Sequence, residues 1–131
     1  MGGHDNQLWK GSSVMKKQAK VDTNKFTKAC IQLLQFKGFE VWRNNNVAVY
    51  DRNIGGFRRN STKLGVPDII GYQKKTGRAI YVEVKTGSDR LSDEQRQFLI
   101  NALQNGCIAF ECRTIDDITK RLKQYDPQGN H

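Results

Sequence analysis

Sulfur and imidazole side chains are scarce in this 131-residue chain, which has three cysteines and two histidines. The cysteines, Cys30, Cys107 and Cys112, are odd in number and show no CxxC spacing, and the histidines, His4 and His131, lie near the two ends of the sequence. These counts argue against a disulfide scaffold, a structural zinc site and a mechanism built on an internal histidine.

Long hydrophobic runs are also lacking. No window approaches the roughly 18 consecutive apolar residues of a membrane span, and residues 1–17 hold no apolar run of signal-peptide length. We therefore expect a soluble intracellular protein with no membrane partner. The length and the 37% hydrophobic content predict one compact domain. We place it at residues 21–126, between a flexible basic arm at residues 1–20 and a tail at residues 127–131.

Positive charge is plentiful and unevenly placed. The formal net charge is +9, and residues 1–65 hold 12 Lys and Arg against 4 Asp and Glu, whereas residues 66–131 hold 10 against 9. A field of this sign suits a polyanion. Nucleic acid is favoured over a membrane surface because the sequence has no Lys-rich amphipathic stretch with an aromatic face. The alternative from charge alone is a solvated basic face.

Periodic segments predict three helices and five strands. The helices begin at the N-cap residues Thr23, Ser92 and Thr114, and glycines end the first two. The segment from Asp51 to Gly65 is predicted as a flexible, positively charged loop. The predicted strands cover residues 39–43, 47–50, 66–72, 78–86 and 107–113. This order predicts an α/β domain whose third and fourth strands form a hairpin.

Three charged residues converge on that hairpin. Asp68 lies in one strand, and Glu83 and Lys85 lie two apart on the next, so the latter two side chains leave the same face of the sheet. Burying such charges is unfavourable unless they bind something, and carboxylate oxygens suit a hard divalent cation such as magnesium. The competing interpretation is that Glu83 and Lys85 form the exposed side of an amphipathic strand and Asp68 is a turn residue.

The spacing of these residues resembles a nuclease signature. Pro67-Asp68, fourteen residues and then Glu83-Val84-Lys85 look like the PD-(D/E)xK motif, within the strings GVPDIIGY and YVEVKTG. Together with LLQFKGFEVWRNNN, a Gly-Arg-rich loop and LSDEQRQFLINALQNG, this order is similar to the stand-alone virus-type replication-repair nuclease (VRR-NUC) domains of phages. The resemblance spans residues 23–113. It implies a restriction-endonuclease-like αβββαβ core, with a mixed central sheet flanked by helices.

The resemblance also implies a set of site residues. Asp68, Glu83 and the Val84 carbonyl would bind a magnesium or manganese ion, and Lys85 would position or activate the attacking water. The family's first helix usually supplies a further glutamate near its start, and the corresponding stretch here has none. We therefore expect one firmly bound ion, or two with an additional ligand for which Asp22 is the nearest, weak candidate.

Gln95 has two interpretations. In the family, a glutamine on the helix after the EVK strand lies near the site and would hold water or phosphate, which makes Gln95 a candidate catalytic residue. The string Ser92-Asp93-Glu94-Gln95 also matches a capping box, in which the Gln95 side chain bonds to the Ser92 backbone N–H.

Candidate DNA contacts lie before the PD strand. Arg43 and Asn45 belong to a strand end that approaches DNA in such nucleases, although this cluster is also a plain turn sequence. Arg58, Arg59 and Lys63 lie on the glycine-containing loop and are placed to contact phosphates.

These features predict a magnesium- or manganese-dependent DNA endonuclease that acts on branched DNA such as four-way (Holliday) junctions or flaps. The resemblance favours a homodimer, and the expected location is the cytoplasm of a bacterium or a phage-infected host cell. Two alternatives stay open. One is a catalytically weak DNA-binding module of the same fold, favoured by the missing helix glutamate. The other is an RNA-binding domain with a basic arm.

Overall fold

The computed structural model describes residues 22–44, 49–58 and 63–126. The predicted arm and tail lie outside these ranges, and so do Asn45 and Arg59. The boundaries of the arm, domain and tail therefore stay predictions. In the described part of the chain, no helix is both long and apolar enough to cross a bilayer.

The described residues form three helices, a four-stranded sheet and a small two-stranded sheet. The helices are α1 (Thr23–Phe36), α2 (Asp93–Gln104) and α3 (Ile115–Tyr125). The strands are β1 (Phe39–Arg43), β2 (Val49–Asp51), β3 (Gly56–Arg58), β4 (Ile69–Gln73), β5 (Ala79–Val84) and β6 (Ile108–Cys112). The predicted α/β class is confirmed, and α1, β1, β4, β5, α2 and β6 make up the αβββαβ core.

The main sheet is mixed, with the strand order β1-β4-β5-β6. The pairs β1–β4 and β4–β5 are antiparallel, and β5 and β6 are parallel. The tight turn between β4 and β5 confirms the predicted hairpin, with Gly77 in the left-handed conformation that favours glycine (φ 76°). Helix α2 supplies the crossover between the two parallel strands, because such a pair cannot be joined by a short turn.

The start of α1 differs from the prediction by one residue. Asp22 is the N-cap, and its Oδ1 accepts hydrogen bonds from the backbone N–H groups of Asn24 (3.0 Å) and Lys25 (3.2 Å). Thr23 is the first helical residue, and its Oγ1 lies 3.3 Å from Oγ1 of Thr86. A carboxylate that satisfies two helix N–H groups is a strong cap, and this arrangement leaves the threonine hydroxyl for a contact after β5.

The predicted loop from Asp51 to Gly65 is wrong in part, because it contains the hairpin of β2 and β3. The turn is stabilised by the Asn53 N–H, which donates to Asp51 Oδ1 (2.9 Å), and by Gly55 at φ 66°. The Tyr50 and Phe57 rings pack edge to face with centroids 5.5 Å apart. The strand predicted at residues 47–50 overlaps β2, and β3 was missed because a strand of three residues is too short to show alternation.

Helices cover the sheet on both faces. On one face, Ile80 and Val82 of β5 pack in the larger apolar core with Cys30 and Leu34 of α1 and with residues of α3. On the other face, Tyr81 packs in a smaller cluster with residues of α2. The sheet is therefore sandwiched along β5, and both faces of that strand are removed from solvent.

Candidate functional site

The predicted site residues lie at one end of the main sheet, where β5 ends and two helices begin. The first residue of α1 contacts Thr86, which follows Lys85 directly. Gln95, in the first turn of α2, donates from Nε2 to Glu83 Oε1 at 3.4 Å. Loops and helix starts thus meet around the last residues of β5.

Asp68 and Glu83 face each other across two antiparallel strands. Ile69 pairs with Val82, and this register, continued by one residue, places Asp68 opposite Glu83. Asp68 Oδ2 accepts a hydrogen bond from the Val84 backbone N–H at 3.0 Å, which fixes its carboxylate against the end of β5. The two acidic residues of the motif are therefore direct cross-strand neighbours.

The Glu83 carboxylate is buried and incompletely satisfied. The residue is 2% exposed, and its Oε2 has no hydrogen-bond partner among the described residues. The pKa of Glu83 is raised from 4.5 to about 9. The largest cause is burial away from water, and the second is the nearby Asp68 carboxyl. The Lys85 ammonium opposes this shift without cancelling it. Such a carboxyl holds a proton at neutral pH until a cation replaces it.

Lys85 is buried with Glu83, being 7% exposed. Its Nζ lies 3.6 Å from Oδ2 of Asp89, which is four residues further along the chain. The interpretation of Glu83 and Lys85 as the exposed side of an amphipathic strand is therefore wrong. The reason is that α2 covers this face of β5, which the alternation of a single strand does not reveal.

Arg113 holds the loop that carries Asp89. Its guanidinium donates to the carbonyl oxygens of Gly87 (3.2 Å) and Asp89 (2.6 Å) and to Glu111 Oε1 (2.8 Å). The loop after β5 is thus attached to the end of β6. Arg113 and Asp89 are the site residues that sequence reasoning missed; the spacing of Lys85 and Asp89 was visible, but their contact needs the loop conformation.

The capping-box interpretation of Gln95 is confirmed, and its catalytic role stays a prediction. Its Oε1 accepts from the Ser92 backbone N–H (2.9 Å), and the Ser92 Oγ accepts from the Gln95 N–H (3.1 Å), which completes the capping box. Its Nε2 is then directed to Glu83. A side-chain amide carries one acceptor and a donor group, so a single glutamine makes both contacts at once.

The residues at this end fit a hard divalent cation. Two opposed carboxylates and an unpartnered buried oxygen on Glu83 are the kind of oxygen donors that magnesium and manganese prefer. Within the described ranges, no group of three His, Cys, Asp or Glu side chains is positioned to hold a metal. Asp22 uses one carboxylate oxygen as the cap of α1. Among the described residues, the Val84 backbone carbonyl is a candidate for a further ligand, with water completing the set.

The predicted DNA contacts are dispersed. Arg43 lies at the end of β1 and donates to Asn24 Oδ1 at 2.9 Å. Arg58 forms an ion pair with Asp51 inside the small hairpin, with Nε and Oδ2 3.2 Å apart. Lys63 lines a groove beside α2. Asn45 and Arg59 lie outside the described residues. Of the three described candidates, Arg43 is the one at the sheet end.

Gly65 positions the strand that carries Asp68. Its φ is 76°, and a Cβ added there would collide with the backbone carbonyl of Glu94 in the first turn of α2. A side chain at this position would push the Val66-Pro67-Asp68 segment away from the helix.

The VRR-NUC domain family model matches residues 20–115, which is most of the chain. A search of curated proteins finds no match. Among solved structures, the chain is similar to Hjc, a Holliday junction resolvase of the archaeal hyperthermophile Archaeoglobus fulgidus, with 21% sequence identity and a TM-score of 0.45. That match covers 67% of this chain and 64% of the resolvase, which is less than two thirds of its length. On the extent of the family match, this chain belongs to the VRR-NUC domain family of nucleases.

Proposed function

We propose that this protein is a metal-dependent endonuclease that hydrolyses phosphodiester bonds in DNA and prefers branched substrates such as four-way junctions or flaps. The observation that carries the proposal is the buried pair of Asp68 and Glu83, opposed across β4 and β5 with Oε2 of Glu83 unpartnered among the described residues. Ionising both of these carboxyl groups in the buried site is unfavourable, and a bound cation would offset that penalty.

The chemistry of the substrate explains the need for a cation. A phosphodiester resists nucleophiles because its anionic oxygens repel them, and a divalent ion neutralises that charge and lowers the pKa of bound water. Asp68 and Glu83 would hold the ion, with the Val84 carbonyl as a further ligand. Asp68 is prepared for this by its hydrogen bond from the Val84 N–H.

Other residues would orient the reactants. The buried ammonium of Lys85 would hold the attacking water or stabilise the charge that develops on the phosphate. Its ion pair with Asp89, on a loop fixed by Arg113, restricts where that ammonium can lie. Gln95 Nε2 would keep the Glu83 carboxylate in register with Asp68.

The branched substrate and the homodimer follow from the family resemblance. Small stand-alone domains of this type commonly act as two-fold dimers, which would present two sites for paired cuts in a four-way junction. The cytoplasmic location stays a prediction.

The direct test is incubation of the full chain with linear, flapped and four-way DNA, with magnesium or with a chelator. Asp68→Asn is the informative variant, because the amide keeps an acceptor for the Val84 N–H while it removes the charge. Asp116→Asn, an exposed carboxylate of α3, is the matched control. We expect magnesium-dependent cleavage by the native chain and the control, and none above background by Asp68→Asn.

Two results would replace the proposal. Equal DNA binding with and without chelator, and no cleavage of any DNA, would support the DNA-binding module. A preference for unstructured RNA over every DNA would support the RNA-binding alternative. Cleavage by Asp68→Asn at the native rate would show that the site lies elsewhere.

A further inference from the structure

A groove of about 390 Å³ lies where the first turns of α1 meet the end of β1. This volume is within the range of small-ligand sites. Three of its lining side chains are cationic and none is a carboxylate. The lining residues are Asn24, Lys25, Thr27, Lys28, Ile31 and Arg43. A groove of this composition attracts an anion that has some apolar surface.

The cations of the groove are arranged on both of its sides. Lys25 and Lys28 are exposed and three residues apart, so they project from one side of α1. Arg43 is on the β1 side of the groove, and its hydrogen bond to Asn24 Oδ1 (2.9 Å) orients the guanidinium. The planar guanidinium matches the geometry of two phosphate oxygens. The ammonium groups of Lys25 and Lys28, together with the guanidinium of Arg43, are suited to bind a row of phosphates.

The acidic residue at the start of α1 does not neutralise the groove fully. Asp22 Oδ1 is engaged by the backbone N–H groups of Asn24 and Lys25, as the helix cap. Its single charge stands against the three cations of the lining.

Both sides of the groove are connected to the candidate site by short links. Thr23, two residues before Lys25, contacts Thr86, which follows Lys85. Arg43 pairs with Ile69, which follows Asp68. Because neighbouring residues of a strand face opposite sides of a sheet, the groove and the carboxylate pair lie on opposite faces of the same sheet end. A strand that leaves the site across this end meets the groove next.

We infer that the groove binds the sugar–phosphate backbone of the DNA strand as it leaves the cleavage site. This inference rests on the proposed function. The rise of α1 from Thr23 to Lys28 is about 7.5 Å, or about two steps of a DNA helix. The groove therefore contacts phosphates a few nucleotides from the cut, and it adds affinity without base specificity because its donors reach phosphates.

The first test compares two double variants in a chelator, where binding is measured without cleavage. Lys25→Ala with Lys28→Ala removes the groove lysines, and Lys120→Ala with Lys123→Ala removes two exposed lysines with the same spacing on α3. For two phosphate contacts, the slope of log affinity against log salt should fall by about 1.8. We expect at least fivefold weaker binding of a labelled four-way junction at low salt for the groove variant and no change for the control.

The second test locates the contact. Once the cut is mapped, single neutral methylphosphonate linkages are placed at successive positions on either side of it. A linkage within a few nucleotides of the cut should weaken binding by the native chain and have little further effect on the groove variant, because both changes remove the same interaction. Lys25→Arg with Lys28→Arg should restore native binding.

The outcomes separate this inference from the proposed function. The groove would be overturned as a backbone site if the groove variant kept the native salt dependence of DNA affinity. It would also be overturned if the effects of the lysine changes and of every methylphosphonate linkage simply added. Either result would count even if cleavage is normal. Absence of cleavage by the native chain would instead count against the proposed function, and the salt slopes alone would then decide whether the groove binds DNA. Equal thermal melting of the two double variants confirms that neither is misfolded.

Discussion

The two faces at the end of β5 are both buried and are chemically opposite. Ile80 and Val82 are fully buried against α1 and α3, while Glu83 and Lys85, at 2% and 7% exposure, are buried on the α2 side. Burial of the first pair stabilises the fold by roughly 25 cal/mol per Å² of apolar surface. Burial of the second pair is unfavourable because polar groups lose their hydration and Glu83 Oε2 gains no partner in return among the described residues. One segment thus separates the residues that hold the fold from those that we propose to act in cleavage.

The largest expected effect comes from changing one residue on each face. Glu83→Gln should reduce cleavage at least about 1000-fold, equivalent to roughly 4 kcal/mol of transition-state stabilisation, with a native or higher melting temperature. Ile80→Ala should lower the free energy of unfolding by about 2–5 kcal/mol through the cavity it leaves, with near-native cleavage per folded molecule. Urea titration and single-turnover cleavage measure the two quantities.

The contrast between the faces would be lost if the two variants behaved alike. A Glu83→Gln protein as unstable as Ile80→Ala would assign Glu83 a structural role, and an inactive but folded Ile80→Ala protein would place the apolar face in the chemistry.

The next effect is a pH dependence that belongs to the polar face alone. Because the pKa of Glu83 rises from 4.5 to about 9, the folded chain holds an extra proton in that window. Stability is therefore full below about pH 4.5 and is lost as the pH rises towards 9. In chelator, the melting temperature should fall by at least about 4 °C between pH 5.5 and 8.5. In a small domain, a shift of this size corresponds to a loss of about 1 kcal/mol in the free energy of unfolding.

Two companion measurements test the cause of that loss. Glu83→Gln should flatten the pH dependence, and magnesium at pH 8.5 should raise the melting temperature of the native chain and not that of the variant. If the melting temperature of Glu83→Gln fell with pH as steeply as that of the native chain, the pH dependence would belong to another group.

The smallest effect separates the two contacts of Gln95. Gln95→Glu keeps a carboxylate oxygen for the Ser92 N–H but replaces the donor that faces Glu83. Cleavage should fall about tenfold, or roughly 1.4 kcal/mol, with little change in unfolding. Ser92→Ala should do the reverse, because losing a helix cap costs about 1 kcal/mol of stability and leaves the Gln95 donor in place. Equal losses of rate in both variants would show that the cap alone matters.

The helices and strands that depend on local sequence patterns could be predicted from the sequence. The apolar spacing and the caps Ser92 and Thr114 indicated α2 and α3, and both capping residues are confirmed. The hairpin of β4 and β5 follows from alternation around a glycine turn. The convergence of Asp68 with Glu83 was visible for the same reason, since a hairpin register is set by its turn.

What the sequence left open depends on packing between distant segments. The burial of Glu83 and Lys85 requires α2 to lie over β5, and the ion pair of Arg58 with Asp51 requires the β2–β3 hairpin. The phosphate contact of Arg58 stays a prediction, and its ion pair with Asp51 could not be seen in the sequence. The groove at Lys25 also forms between a helix and a strand end that no local pattern joins.

The attachment of the Asp89 loop by Arg113 has a consequence for the order of folding. Asp68 and Glu83 come together within one hairpin, a pairing of low sequence separation that closes early. The loop, in contrast, is held by Arg113 and by the Lys85 N–H, which donates to the Cys112 carbonyl (3.0 Å). Those contacts join residues more than twenty positions apart and need β6 in its parallel place, which is a slower, non-local step. A nascent chain without β6 can thus bring Asp68 and Glu83 together before the Asp89 loop is held, so the proposed site is completed only when β6 is in place.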